Sequence, residues 1–228
     1  MTPDQLILAL DMHDPQEALR WVDRCQGRIG TFKVGLQLFT GHGPELVKEI
    51  RKKKAEVFLD LKLHDIPNTV VKSIEAVCQL DIRFLTIHTS GGRDMMEAAV
   101  QAAARFPQTT LLGVTVLTNL TSDDLRELGV DHSSSGQVLH LARLAKSCGM
   151  KGLVCSPLEV AYLRRELTAE KMVLVTPGVR PVGSEANDQA RIATPQQAIA
   201  DGSTHVVIGR PVLNADDPDQ VINELLKD

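Results

Sequence analysis

Short, nearly uninterrupted apolar runs rich in β-branched residues recur along the chain, and each is followed by a stretch whose apolar positions repeat at helical spacing. Eight such units can be counted. The runs are Leu6–Asp11, Thr31–Val34, Glu56–Leu61, Phe84–His88, Thr110–Leu117, Gly152–Cys155, Met172–Thr176 and His205–Ile208. Runs apolar at consecutive positions are the mark of strands covered on both faces, as in a parallel sheet. The helical stretches between them are Pro15–Cys25, Pro44–Lys53, Pro67–Gln79, Arg93–Arg105, Thr121–Leu128 with Gly136–Cys148, Glu159–Glu166, Pro195–Asp201 and Pro218–Lys227. Proline recurs in their first turns, where its missing N–H costs nothing. Strict alternation of this kind, with about 25–30 residues per unit, predicts an α/β fold of the (β/α)8 TIM-barrel type. An open doubly wound sheet is the alternative on pattern alone. Its dinucleotide-binding form wants GxGxxG after the first strand, and here that run ends Leu10-Asp11-Met12-His13 without a glycine. No linker or shift of composition divides the chain, so residues 1–228 are expected to form one domain. The longest stretch without periodicity is Gly178–Thr194, and connections of that length are usually functional or disordered.

The composition adds mainly exclusions. With 43% hydrophobic residues, 25 Lys and Arg against 29 Asp and Glu, and a net charge of −4, the chain is neither disordered nor collagen-like. An acidic balance and few aromatics (Trp 1, Tyr 1, Phe 5) argue against nucleic-acid binding and favour small-molecule chemistry. No apolar run approaches the ~20 residues of a membrane helix. The N-terminal MTPDQLILALD has a brief apolar stretch and no basic lead-in, so neither a signal peptide nor a membrane partner is expected, and the location expected is cytoplasmic. Cys25, Cys78, Cys148 and Cys155 form no CxxC and are read as reduced, buried small hydrophobes, with no metal site.

In a barrel of this kind the active site lies at the C-terminal ends of the strands, so polar groups ending apolar runs come first. Asp11, Lys33, Asp60, Lys62, His64, Asp65, His88, Thr118, Ser156, Gly209 and Arg210 all stand at or just beyond such ends. Within a strand, Asp60 and Lys62 share a face about 6.5–7 Å apart, with Leu61 turned toward the helices. A lone pair of this kind could be an ion pair plugging the barrel end. Asp11 and Lys33, one strand or two away, enlarge it to a four-charge cluster, and structure alone seldom calls for so many desolvated charges. Gly209-Arg210-Pro211, opening a helical turn after the eighth strand, offers a free backbone N–H and a guanidinium to a phosphate, and Arg180 and Gln189 of the long loop could close over the same anion. The basic run Arg51–Lys54 is read as a solvated helix end, and His64 and His88 as packed or as supporting the site residues from behind rather than catalytic.

The segment Asp60-Leu-Lys-Leu-His-Asp-Ile-Pro-Asn-Thr69 closely resembles the signature of bacterial-type orotidine 5′-phosphate decarboxylases. The likeness continues through Leu8–Asp11, Phe32–Gly35, Val114–Thr118, Thr176-Pro177-Gly178-Val179-Arg180, Asn187–Gln189 and Val207–Arg210, in order. One departure is Thr89 after His88, where the family more commonly has alanine. The resemblance implies a (β/α)8 homodimer that converts orotidine 5′-monophosphate to uridine 5′-monophosphate and CO2, the last step of de novo UMP synthesis, without metal or organic cofactor. By the same resemblance Lys33, Asp60, Lys62 and Asp65 form the catalytic chain of charges, with Asp65 supplied by the other subunit. Asp11, Lys33 and the partner's Thr69 hold the ribose, Ser156 reads the pyrimidine edge, and Thr118 and Pro177 line the site. Arg180, Gln189, Gly209 and Arg210 take the phosphate.

Loss of CO2 from C6 leaves a carbanion that the ring delocalises poorly, and no motif here offers a cofactor as electron sink. Preorganised charge must do the work, and Lys62 is the residue expected to protonate C6. Two rival readings are open. A Mg2+-dependent 3-keto-L-gulonate 6-phosphate decarboxylase or hexulose-phosphate synthase shares the D-x-K-x-x-D pattern, but Lys33 stands where those relatives carry an acidic metal ligand. A non-catalytic phospho-ligand binding barrel would keep Gly209 and Arg210 and has no use for both Asp60 and Lys62.

Overall fold

The computed structural model describes residues 1–168, 171–180 and 193–227. Its strands are β1 (Leu6–Ala9), β2 (Thr31–Gly35), β3 (Glu56–Leu63), β4 (Phe84–His88), β5 (Thr110–Val114), β6 (Gly152–Val154), β7 (Val173–Thr176) and β8 (His205–Ile208). They pair in parallel, each with the next, and β8 closes on β1. The closed eight-stranded barrel is the expected fold. Around it run α1 (Pro15–Cys25), α2 (Leu36–Lys52), α3 (Pro67–Cys78), α4 (Gly92–Ala103), α5 (Ser122–Glu127), α6 (Ser134–Ser147), α7 (Val160–Leu167), α8 (Pro195–Ala200), α9 (Arg210–Leu213) and α10 (Pro218–Leu226). No helix among the described residues is long and apolar enough to cross a membrane.

Alternation within each strand divides the apolar residues between two cores. Ile7, Ala9, Phe58, Phe84, Leu112, Val175 and Val207 fill the barrel interior, while Leu6, Leu8, Phe32, Val57, Leu59, Leu85 and Ile87 pack outward against the helices. The helices start where short polar caps precede proline. Asp14, Thr194 and Asp217 each accept a backbone N–H of the following turn, with Pro15, Pro195 and Pro218 in first position. All four cysteines are buried and free. The basic run is held in ion pairs: Arg51 with Glu56 and Asp81, Lys52 with Glu49, and Lys53 with Asp23.

Several boundaries shift from the sequence expectation, most by one or two residues, and three of the shifts bear on the site. The helix placed at Pro44 starts earlier, at Leu36, with a break at Gly43, whose φ of 64° only glycine adopts readily. Gly41 and Gly43 lower helix propensity enough to hide the first segment. The fifth strand ends at Val114, and Val116 and Leu117, beyond the ladder, line the barrel mouth. The third strand extends beyond Leu61 to Leu63, through a register shift between Leu59 and Leu63.

Candidate active site

The C-terminal ends of the strands surround a cavity of about 460 Å3, a size usual for a small-molecule site. Of the residues singled out from the sequence, Asp11, Lys33, Asp60, Lys62, Thr118, Pro177, Arg180, Gly209 and Arg210 all line it. Its floor is apolar, built from inward-facing Ala9, Phe58, Val114, Val154, Val175 and Val207.

Four of the polar residues form one chain of alternating charge across β1, β2 and β3. Asp11 Oδ1 accepts from Lys33 Nζ at 2.7 Å, Lys33 Nζ lies 3.9 Å from Asp60 Oδ2, and Lys62 Nζ donates to both oxygens of Asp60 at 2.9 and 2.8 Å. The inner members are well shielded, with the side chains of Lys33 and Asp60 only 12% and 14% exposed. Each desolvated charge is thus flanked by an opposite one, the condition under which buried ions are tolerated. Gly35, also facing inward on β2, leaves the room this requires. A Cβ there would stand 3.2 Å from Lys33 Nζ and 3.5 Å from Asp11 Oδ1.

Lys62 reaches this chain by a route that regular strand geometry does not foresee. Its φ is 49°, in the left-handed region, at the bulge of β3. Its backbone N–H, turned out of the β-ladder, donates to Thr86 Oγ1 at 2.9 Å, and the Thr86 hydroxyl in turn donates to Asp60 Oδ1 at 2.9 Å. Sequence reasoning passed over Thr86. The signal was a lone polar residue inside an apolar strand, two positions from inward-facing Phe84.

Opposite this cluster, beyond β7, stand Pro177, Gly178 and Arg180, and next to them round the rim Gly209 and Arg210 after β8. Arg180 is 6% exposed, and its backbone N–H donates to Ala193 O at 3.0 Å. Val179 and Ala193 form a parallel bridge that ties together the two ends of the long connection. Gln189 lies outside the described residues. A Cβ at Gly209 would stand 3.3 Å from that of Ala9, so a side chain here would crowd β1. The rings of His88 and His64 lie tilted at 39° with centroids 5.5 Å apart, and burial, then the charges of His64 and Lys62, hold the His88 pKa below its ordinary value.

Three expected site residues are not in the cavity wall of their own chain. Asp65, in the turn that leads into α3, and Thr69, in the first turn of α3, are both exposed; Asp65 Oδ1 accepts the Ile66 N–H at 2.7 Å and Ile66 itself is 68% exposed. Ser156 is fully buried. Its hydroxyl accepts the Leu158 N–H at 3.3 Å while Glu159 Oε2 accepts the Ser156 N–H at 2.9 Å. This reciprocal cap is a Ser-x-x-Glu box, legible in the sequence, and it uses one lone pair of the hydroxyl while its proton stays available to a further acceptor. Thr89, the departure noted above, is buried against Gly113 and its hydroxyl donates to Val114 O at 2.8 Å, holding the end of β5.

Residues 4–225 match the model of the orotidine 5′-phosphate decarboxylase / HUMPS family. The chain belongs to this family. It is 46% identical over 222 residues to the orotidine 5′-phosphate decarboxylase of Opitutus terrae, covering 97% of this chain and 96% of that one. The orotidine 5′-phosphate decarboxylase of Syntrophotalea carbinolica is 47% identical over 220 residues, covering 94% and 90%. The crystal structure of orotidine 5′-phosphate decarboxylase from Lactobacillus acidophilus superposes with a TM-score of 0.84 at 36% identity, covering 96% of both chains. Within the family, the barrel mouth described above is where this chain keeps its alternating charges.

Proposed function

We propose that the chain decarboxylates orotidine 5′-monophosphate to uridine 5′-monophosphate and CO2, closing UMP synthesis in the cytoplasm, as a homodimer of one-domain (β/α)8 subunits. The observation that carries this reading is the Asp11–Lys33–Asp60–Lys62 chain, facing Arg180 and Arg210 in a single cavity. Relatives 43–47% identical over nearly the whole chain bear the corresponding name.

The two arginines, with Gly209 and Gln189, bind the phosphate, and Asp11 and Lys33 take the ribose hydroxyls. The pyrimidine then lies toward Lys62 over the apolar floor, with Thr118 and Pro177 at its margin. As the bond from C6 to the carboxylate breaks, its electron pair stays on C6. The Lys62 ammonium, gripped through both oxygens of Asp60, stabilises that charge and then transfers a proton to C6. Asp60 close to the departing carboxylate adds repulsion that is relieved as CO2 leaves. Binding at the distant phosphate helps shut the site against water.

Asp65 and Thr69 complete the neighbouring subunit's site. Their exposure outside their own cavity supports this, as does Pro67, which stiffens the turn that carries them and biases Ile66 toward an extended backbone. The contact would repeat about a two-fold axis.

The chemistry runs on these side chains alone, since an ammonium at Lys33 would repel Mg2+ where the metal-dependent relatives place a carboxylate. The test is CO2 release from orotidine 5′-monophosphate by purified protein in excess EDTA, expected at undiminished rate. Activity lost in EDTA and restored by Mg2+ would favour the metal-dependent reading, and tight phosphate-ester binding without turnover the non-catalytic one.

A further inference from the structure

We infer that Thr86 is a positioning residue for the decarboxylation, one that holds both ends of Lys62 through a single hydroxyl. This inference rests on the reading of Lys62 as the proton donor.

The β3 bulge takes the Lys62 N–H out of the ladder, and a buried backbone donor left without a partner is destabilising. Thr86 Oγ1, at 2.9 Å, supplies the acceptor. An amide N–H can only donate and an ionised carboxylate can only accept, so the direction of the hydroxyl is settled: its lone pair faces Lys62 N and its proton faces Asp60 Oδ1, 2.9 Å away. Asp60 Oδ1 also accepts from Lys62 Nζ at 2.9 Å, and the contacts close into a ring running Thr86 hydroxyl, Asp60 carboxylate, Lys62 ammonium, Lys62 backbone and back to Thr86.

The ring performs two tasks at once. It stabilises the left-handed backbone that sends the Lys62 side chain into the cavity, and it fixes the rotation of the Asp60 carboxylate so that Oδ2 faces both Lys62 Nζ at 2.8 Å and Lys33 Nζ at 3.9 Å. Thr86 is fully buried between β3 and β5 and is not part of the cavity wall, so it acts through Asp60 and Lys62 rather than on the substrate. Misplacement of a reacting group by about 1 Å can cost about 100-fold in rate, and Thr86 is the residue whose loss would permit such a shift.

The experiment compares Thr86→Val, which keeps the shape and removes the hydroxyl, with Thr86→Ser and Lys62→Ala. Rates are expressed per site that binds the product uridine 5′-monophosphate, so that unfolded protein does not count. Thr86→Val is expected to lower kcat by about 10–100-fold with KM changed less than about 3-fold, and Thr86→Ser to recover most of the loss. Adding Thr86→Val to Lys62→Ala should cost less than the same change in wild type, because the hydroxyl then has only the Asp60 carboxylate to position. If Thr86→Val does not fold, Thr86→Ala is read by the same criteria.

Wild-type kcat per site in Thr86→Val, even with a lowered Tm, would overturn the inference and leave Thr86 a packing residue. A Thr86→Ser enzyme as slow as Thr86→Val would overturn it too. An inactive Lys62→Ala beside a fully active Thr86→Val removes this inference alone. An active Lys62→Ala removes the reading of Lys62, and the inference with it.

Discussion

The two mouths of the barrel are formed by opposite ends of the same strands, and both carry charge, yet they are built to different ends. At the N-terminal mouth Arg83 pairs with Asp4 at 2.6 and 3.1 Å, donates to Thr31, and lies over the ring of Phe84 at 4.9 Å. His205 packs edge-on against Phe84, 5.1 Å between centroids, and its Nε2 lies 3.1 Å from an Arg83 nitrogen. Since a guanidinium only donates, His205 Nε2 accepts and the ring is neutral, with Nδ1–H directed to Thr204 Oγ1 at 2.9 Å. One cation and one anion cancel around aromatic rings. At the C-terminal mouth two cations and two anions alternate along one side of a cavity of about 460 Å3, and Arg180 and Arg210 line the other side. The lower cluster fills space, whereas the upper one keeps charges apart from filler so that a ligand can meet them.

That contrast predicts that lesions above should affect turnover and lesions below stability. The largest effect is expected from Lys62→Ala, which removes cation and proton donor together and should lower kcat by more than ~10^4-fold. Steady-state rates with folding verified by circular dichroism would check this, and near-normal turnover would erase the functional side of the contrast. Asp65→Ala should also be nearly inactive. Mixed with Lys62→Ala subunits under conditions of exchange, it should regain activity toward half of wild type per hybrid dimer, because one site collects both lesions and its twin neither. Absence of recovery despite demonstrated exchange would return Asp65 to its own chain's site. Arg210→Ala should act mainly on binding, raising KM by about 10–100-fold, with partial rescue by added guanidinium ion.

The smallest effect concerns the lower mouth, and no change in kcat accompanies it. Burial, then the charge of Arg83, pushes the His205 pKa down to about 4, from an unfolded value near 6.5. Between these values the unfolded chain binds a proton that the folded chain refuses, so stability is full above pH ~6.5 and falls as pH drops toward ~4, by about 3 kcal/mol in all. His88, also lowered, adds loss of the same sign. Urea denaturation at several pH values should show the slope in wild type and a shallower one in His205→Asn. Equal slopes would mean that His205 is protonated within the fold.

Much of this was legible in the sequence because buried parallel strands write themselves as unbroken apolar runs, and Pro15, Pro67, Pro195 and Pro218 mark helix starts unambiguously. The charged residues of the mouth were legible for the complementary reason: Asp11, Lys33, Asp60 and Lys62 interrupt or end those runs. What escaped had local chemistry against it. Gly41 and Gly43 disguised the first part of α2. Thr86 read as one more β-branched strand residue, and its polar role appears only once β4 lies beside β3. The cap that Ser156 forms with Glu159, three residues on, went unread beside its place at a strand end. Nothing in the order of residues announced that Lys62 would take a left-handed backbone, since that conformation is imposed by the neighbouring strand.

The bulge at Lys62 also sets the size of the piece that could be moved to another scaffold. A designer who copied Asp-x-Lys onto a regular strand would transplant the charges without the turn in the main chain that aims the ammonium, and an L-residue left to itself avoids that turn. The portable unit spans two strands: Asp60 through Leu63 with its register shift, and the hydroxyl of Thr86 across the ladder. A graft that respected this boundary would carry its own orientation with it, and one that cut inside it would carry only the letters.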